Sequence, residues 1–459
     1  MRGTPDSAPV GSPAGAATLR AMPGLSEAAP WQSGPQEPGR GVVVVLALCI
    51  ALAPLVSPKG PGNGGPIDVF VAVGVTTALL WAVRRRARLQ FPYIVPVTVF
   101  VTVGLAAALG SAVAFRGGTA VAQEIFLFLW CAALATVCRT PRVLGVLLRT
   151  WALSATVWGG LLILGVVGGV PLLSGTKHAG TRARLFFDHP NMAGNFFMIG
   201  LFLVLASGFP RRRPLRYACC AVLLAATFLT GSNAALLSLV GGGVIAVFLH
   251  LKSHRGLAPA TAVVTSLLVV LGAGAAYVMP PLVAAAEQSH APFLRYTVGR
   301  SPESADRRGD IFADQIELYE RGDLLGIGPA ATKNELGSSF AGVAKEAHND
   351  YLATLVERGP LGVLAVAALI AAVFARVSGI TRRRLTPQLA AAVPVPAALA
   401  GACMAFAFTA LTHEVLHYRW FWTLLGLVAA VHLLAQPARE ASARDASRPA
   451  YRSAGRSSS

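Results

Sequence analysis

Acidic side chains are scarce in this sequence. Only 21 of 459 residues are Asp or Glu, and charged residues of both signs make up 13%. A soluble globular domain carries roughly a quarter charged residues, so that class is excluded. Alternating segments of roughly ten residues, the mark of a transmembrane barrel, are missing as well. The six cysteines (Cys49, Cys131, Cys138, Cys219, Cys220 and Cys403) all fall inside apolar blocks. They show neither metal-ligand spacing nor a plausible disulfide framework, and read as small core residues. The first apolar stretch begins only after Arg40 and no cleavage-like site follows it, so a signal peptide is not expected.

What is present is apolar. Hydrophobic residues make up 54% of the chain and the mean hydropathy is +0.59. This material comes as repeated blocks of about 17–23 residues, the length a helix needs to cross the hydrocarbon core. The blocks predict an all-α polytopic membrane protein of about 12 transmembrane helices. The expected spans are Gly41–Val56, Ile67–Val83, Tyr93–Phe115, Ala120–Cys138, Thr150–Leu173, Asn191–Phe209, Tyr217–Thr230, Asn233–Leu249, Leu257–Met279, His348–Arg376, Leu389–Leu411 and Trp420–Leu434. Residues 41–436 form the membrane domain, with one large extracytoplasmic loop, 280–347, between the ninth and tenth spans. The Pro-, Gly-, Ala- and Ser-rich segment 1–40 and the Arg- and Ser-rich segment 437–459 cannot bury enough apolar area to offset ordering entropy. Both are expected to be disordered cytoplasmic tails.

The net charge of +18 could suggest nucleic acid, but its distribution points elsewhere. Basic residues cluster at Arg84–Arg88, Arg139–Arg142, Arg211–Arg216, Lys252–Arg255 and Arg382–Arg384, in alternate loops. That pattern sets the orientation of a polytopic protein and places these loops and both termini inside the cell, at the cytoplasmic membrane. No nucleic-acid partner is expected, and the bilayer is.

The remaining polar residues gather on the outward side. One group is Thr181–Asn195, with Arg182, Arg184, Asp188, His189 and Asn191; a second holds Arg300, Arg307 and Arg308; a third is EAHNDYLATLVERGPLGVL, with His348 where the long loop turns into a span. Arginines beside a His at a helix N-terminus suit an anionic substrate, since Arg offers paired donors to phosphate and the helix end adds free N–H groups. Within the long loop, Ile311, Phe312, Ile316 and Tyr319 recur at helical spacing against a charged face, predicting an amphipathic helix. The following GDLLGIGPAATKNELG reads as turns that wrap around something.

These motifs together, FFDHPNMAG, TGSNAALL, R-x-G-D-I-F followed by LLGIG, and HNDYLATLVERGPLG, resemble the O-antigen ligase and polymerase superfamily of polytopic bacterial glycosyltransferases. The resemblance runs from about Thr181 to Gly426. It implies transfer of a glycan from an undecaprenyl-pyrophosphate carrier, without metal or other cofactor, to a lipid, polysaccharide or protein acceptor. By its motifs, Arg184 (or Arg182) and Arg308 (or Arg307) bind the pyrophosphate, Arg419 faces the same cavity, and His348 activates the acceptor hydroxyl. The chain departs from the family at Ser232-Asn233, where a basic residue is common.

Physical chemistry supports such roles independently. A departing diphosphate needs its charge neutralised, which two Arg can do, and a His titrates near neutrality and takes a hydroxyl proton. Glu346 or Asp350 is placed to orient the imidazole. Blander readings stand beside these. Asn349 and Asp350 are expected as helix caps, Asn191 as the N-cap of the sixth span, and Glu357–Arg358 as a local ion pair with Pro360 relieving the backbone. Glu124 is an intramembrane carboxylate, either paired or near the surface. In LTHEVLHYRWFW, His413 and His417 stand at i,i+4, one residue off the metalloprotease spacing, and Tyr418, Trp420 and Trp422 are expected as an interface belt. The alternative function is a small-anion transporter, but the halves show no clear repeat and the polar residues gather on one face.

Overall fold

The computed structural model describes residues 37–56, 64–175, 182–290, 298, 301–322, 324–339 and 349–436, with side chains excepted at 301–308 and 337–339. Every regular element among them is a helix. In chain order these are α1 (Arg40–Ala51), α2 (Pro66–Arg84), α3 (Ile94–Gly110), α4 (Ala114–Val137), α5 (Pro141–Val167), the single turn α6 (Pro171–Ser174), α7 (Pro190–Ser207) and α8 (Arg213–Leu229). Then follow α9 (Asn233–Arg255), α10 (Leu257–Glu287), α11 (Ser301–Arg321), α12 (Ala331–Ser339), α13 (Asp350–Arg382), α14 (Pro387–Ala392), α15 (Pro396–Ala410) and α16 (Arg419–Ala435).

Seven of these, α2, α4, α5, α7, α9, α10 and α13, are long and apolar enough to cross a membrane. Four shorter apolar helices, α1, α3, α15 and α16, pack among them. The chain is a multi-pass membrane protein. Most of the expected tails, and residues 291–297, 299–300, 323 and 340–347 of the expected loop, lie outside the described residues.

Some boundaries differ from the sequence reading for identifiable reasons. The ninth span does not stop at Met279; α10 runs through Pro280-Pro281 to Glu287. A proline's fixed φ is helical, so the pair forfeits hydrogen bonds without preventing the turn. The fifth span starts nine residues early because Thr140 caps α5, accepting from the Val143 N–H, and Pro141 opens the helix. The eleventh span is two helices, α14 and α15, separated by Val393-Pro394-Val395.

Burial sorts the helices by depth. α7 is wrapped by α5, α8, α9 and α15 and buries most of its residues, including Phe196, Phe197 and Phe202. α10, by contrast, touches chiefly α9 and buries only Ala260 and Ala286, leaving its apolar surface to lipid. Small residues allow the closest crossing, between α9 and α15. A Cβ on Gly242 would stand 2.5 Å from the Gly401 carbonyl, and one on Gly401 would stand 2.7 Å from that of Gly242. Backbones in such contact bring many atoms into dispersion range, which drives association where lipid is as apolar as protein.

α13 is interrupted near its start. Gly359 adopts φ 60° and ψ −167°, and Pro360 follows it. This break removes the helical partners of the Val356 and Glu357 carbonyls. The loop after α11 replaces them: Ile327 N–H donates to Val356 O at 2.9 Å and Gly328 N–H to Glu357 O at 3.1 Å. Of the stretch GDLLGIGPAATKNELG expected as turns, the part through Ala330 wraps onto the broken helix, while ATKNELG forms the start of α12 instead. Only glycine fits at the contact, since a Cβ on Gly359 would lie 2.0 Å from Leu324 O and one on Gly326 would lie 2.5 Å from Arg358 N.

Candidate functional site

Three polar clusters meet at one end of the bundle, and the loop between α15 and α16 (residues 411–418) touches all three. The first is built on the start of α7. His189, not Asn191, is the N-cap; its Nδ1 accepts from the Asn191 N–H at 3.2 Å, and Pro190 occupies the first helical position. Asn191 is thereby left to bridge. Its Oδ1 accepts from Arg182 Nη2 at 2.5 Å, and its amide nitrogen meets His413 Nε2 on the hub loop. Arg182 Nε donates to Thr230 O at 2.8 Å, tying this cluster to the turn before α9. At that turn Ser232 caps α9 through the Ala235 N–H and is fully buried, while Asn233 after it is exposed.

Arg184 is also engaged by its own loop. Its Nε donates to Gly175 O at 3.0 Å and its Nη1 to Asp188 O at 2.6 Å, with part of the side chain exposed. Both bonds are to neutral backbone carbonyls, so the guanidinium keeps its full positive charge.

The second cluster is an ion pair. Arg419, 2% exposed, opens α16 and holds Asp68 of α2 in a two-pronged contact, Nε to Oδ1 at 2.9 Å and Nη2 to Oδ2 at 2.6 Å. Asp68 Oδ2 also receives the Gly65 N–H at 2.8 Å. This geometry uses the fork that Arg offers and Lys lacks.

The third cluster lines a cavity of about 320 Å³ beside the break in α13, bounded by α3, α4, α12, α13 and the hub loop. Glu124 of α4 is paired, with Arg358. Glu357–Arg358 is therefore not the local pair that adjacency suggests: successive helical residues face different directions, and Arg358 turns across to Glu124 with its guanidinium carbon 3.8 Å from the Phe100 ring centroid. The Glu357 carboxylate instead receives the Ala330 N–H. Glu124 Oε2 and Arg358 Nε have no hydrogen-bond partner among the described residues, although both are buried. Arg116, Lys333 and His417 line the same cavity.

Asn349 caps α13 as expected, its Oδ1 accepting from the Tyr351 and Leu352 N–H groups at 2.9 and 3.1 Å. Asp350 does not cap. Its carboxylate reaches the hub loop and accepts from Val415 N at 2.6 Å and Leu416 N at 3.3 Å. The expected aromatic belt is internal: Tyr418, Trp420 and Trp422 are all buried, and Trp420 Nε1 donates to Asn195 Oδ1 at 2.8 Å while Trp422 Nε1 donates to Leu416 O at 2.7 Å. Their indoles have partners inside the protein, so they need no interface. His413 and His417 lie in this non-helical loop, so their spacing does not place them on one helix face. His413 faces Asn191 and His417 the cavity.

Of the residues the sequence singles out, His348 lies outside the described residues, one position before Asn349, and the side chains of Arg307 and Arg308 on α11 lie outside them too. The amphipathic face of α11 is rotated from expectation: Ile311 and Gln315 are buried and Ile316 is half-exposed. Sequence reasoning missed Arg116, Lys333 and Asp68. A signal existed for two of them. Arg116 is a lone cation between two apolar blocks, away from the basic clusters, and Asp68 is a carboxylate opening an apolar block of an acid-poor chain.

Residues 218–367 match a family model described as O-Antigen ligase. This segment, about a third of the chain, is similar to O-antigen ligases. It spans α8 to α12 and α13 through the Gly359 break, and so includes the HNDY and RGPLG motifs; the Arg182–Asn191 cluster and the hub loop lie outside it. No curated protein matches the chain. The match supports O-antigen ligase-like glycan transfer at a membrane as the general function.

Proposed function

We propose that the protein transfers or polymerises a glycan from an undecaprenyl-pyrophosphate carrier onto an acceptor hydroxyl at the outer face of a bacterial cytoplasmic membrane. Twelve crossings, cytoplasmic termini and an outward 280–347 segment complete this reading. His348 takes the acceptor proton as its oxygen attacks the anomeric carbon. The bond from that carbon to the diphosphate breaks, and the carrier diphosphate leaves. Arg182, Arg184, Arg307 and Arg308 share the neutralisation of the diphosphate, in the manner of fixed donors aimed at developing charge. Arg419 acts from behind, setting the end of α16 through Asp68.

The observation that carries this reading is the ligase match ending in α13, coupled to a polar cavity at that helix's broken first turns. Transport has one observation in its favour, the interruption of α13, because broken helices bind substrates in carriers. Here the break falls ten residues into a helix of 33, off centre, and beside the ligase motif rather than at a midplane site. The test is transfer in vitro from a polyprenyl-linked glycan. His348→Ala should lose transfer by about a hundredfold or more while inserting normally. Full activity in that variant overturns the mechanism, and glycan-independent anion flux in liposomes supports the carrier.

A further inference from the structure

The other end of the bundle carries a cavity that glycan transfer does not explain. It measures about 760 Å³ and lies where α9 and α13 end and α15 begins. Arg382, Arg383, Arg384, Lys252, His250 and His254 line it, and no carboxylate among the described residues does. The charge bias of membrane insertion accounts for cations at this end, since it acts on sequence near helix ends. It does not call for a concave site.

The cavity also continues into apolar space. Ile245, Leu249 and Phe374 line both it and a second, almost wholly apolar cavity of about 240 Å³ that runs between α9, α13, α15 and α16 toward Tyr351. Cations at a mouth with a greasy groove behind it match one chemistry: a phosphate headgroup attached to hydrocarbon. Guanidinium groups pair with phosphate oxygens through parallel N–H donors, and basic pockets between membrane helices select anionic headgroups.

We infer that this end of the bundle binds an anionic phospholipid, its phosphate at Arg382, Arg383 and Lys252 and one acyl chain along Phe374, Ile245 and Leu249. The basic mouth shares no lining residue with the transfer cavity, and its test reads lipid, not glycan. Full-length protein is reconstituted in vesicles of one part phosphatidylglycerol to three parts phosphatidylcholine, extracted, and its retained lipid counted by native mass spectrometry. The wild type should keep phosphatidylglycerol over phosphatidylcholine. R382A/R383A should weaken retention about thirtyfold and Lys252→Ala, at an exposed position, roughly fivefold. R84A/R85A removes the same charge from an exposed site elsewhere and should retain lipid as the wild type does. Equal loss in both double variants, or equal retention of the two lipids, overturns the site. So does displacement by millimolar inorganic pyrophosphate as effective as by the lipid, which would make this a site for soluble phosphates.

Discussion

The two ends of this bundle handle charge in opposite ways. At the ligase-motif end, Arg358 is paired with Glu124 and Arg419 with Asp68, and the Asp350 carboxylate is spent on backbone N–H groups. At the other end, Arg382, Arg383, Arg384 and Lys252 share a cavity without a carboxylate among the described residues. The difference separates two uses of a cation in a membrane protein. A buried arginine with a fixed acid is part of the scaffold, because removing either partner strands the other in a low-dielectric interior. A cation whose partners are only backbone carbonyls, or absent, keeps charge available to an outside anion. By that measure Arg184, bonded to two backbone carbonyls, is better placed than Arg419 to meet a diphosphate.

The comparison can be broken by mutation. The largest effect is expected at the Glu124–Arg358 pair: Glu124→Ala or Arg358→Ala alone should cost about 3–5 kcal/mol in thermal unfolding in detergent, and the Glu124→Gln/Arg358→Met double variant much less. Additive losses in the double variant would show that the two residues do not act as a pair. Next comes Gly359→Ala, which should cost about 1–3 kcal/mol or more, since it combines positive-φ strain with a clash against Leu324 O. Arg419→Lys keeps the charge but loses the fork to Asp68, and about 1–2 kcal/mol of stability should go with it. Arg184→Ala should leave the melting temperature nearly unchanged while raising the KM for the lipid-linked donor several-fold, as expected of an interaction with the diphosphate worth about 1–2 kcal/mol. At the opposite end, Arg384→Ala, exposed, should change stability by no more than about 0.5 kcal/mol. A large loss there would erase the contrast.

Much of the fold is legible in the sequence because crossing a membrane imposes a length and a composition on each helix. Caps were legible where the signal is local, as with Asn349. The site was less so. Its decisive contacts join residues far apart in the chain, Asp68 with Arg419 and Glu124 with Arg358, and no spacing rule reaches across several helices. Adjacent charges misled for the same reason: Glu357 and Arg358 look like a pair in sequence but point to different partners in space. The hub loop was hardest to read, because LTHEVLHYRWFW has the aromatic content of an interface belt and only tertiary packing shows its indoles bonded inward.

The break at Gly359 also governs how this region opens. Val356 and Glu357 sit among buried residues, and without the amides of Ile327 and Gly328 their carbonyls would stand unsatisfied at a cost of several kcal/mol. The segment 326–328 and the first turns of α13 therefore unfold together or not at all. In hydrogen exchange, the Ile327 and Gly328 amides should be protected like a helix although they belong to a loop, and they should exchange at the rate at which α13's first turns come apart. The 326–328 loop and the first turns of α13 would then breathe as one cooperative unit, hinged on a single glycine.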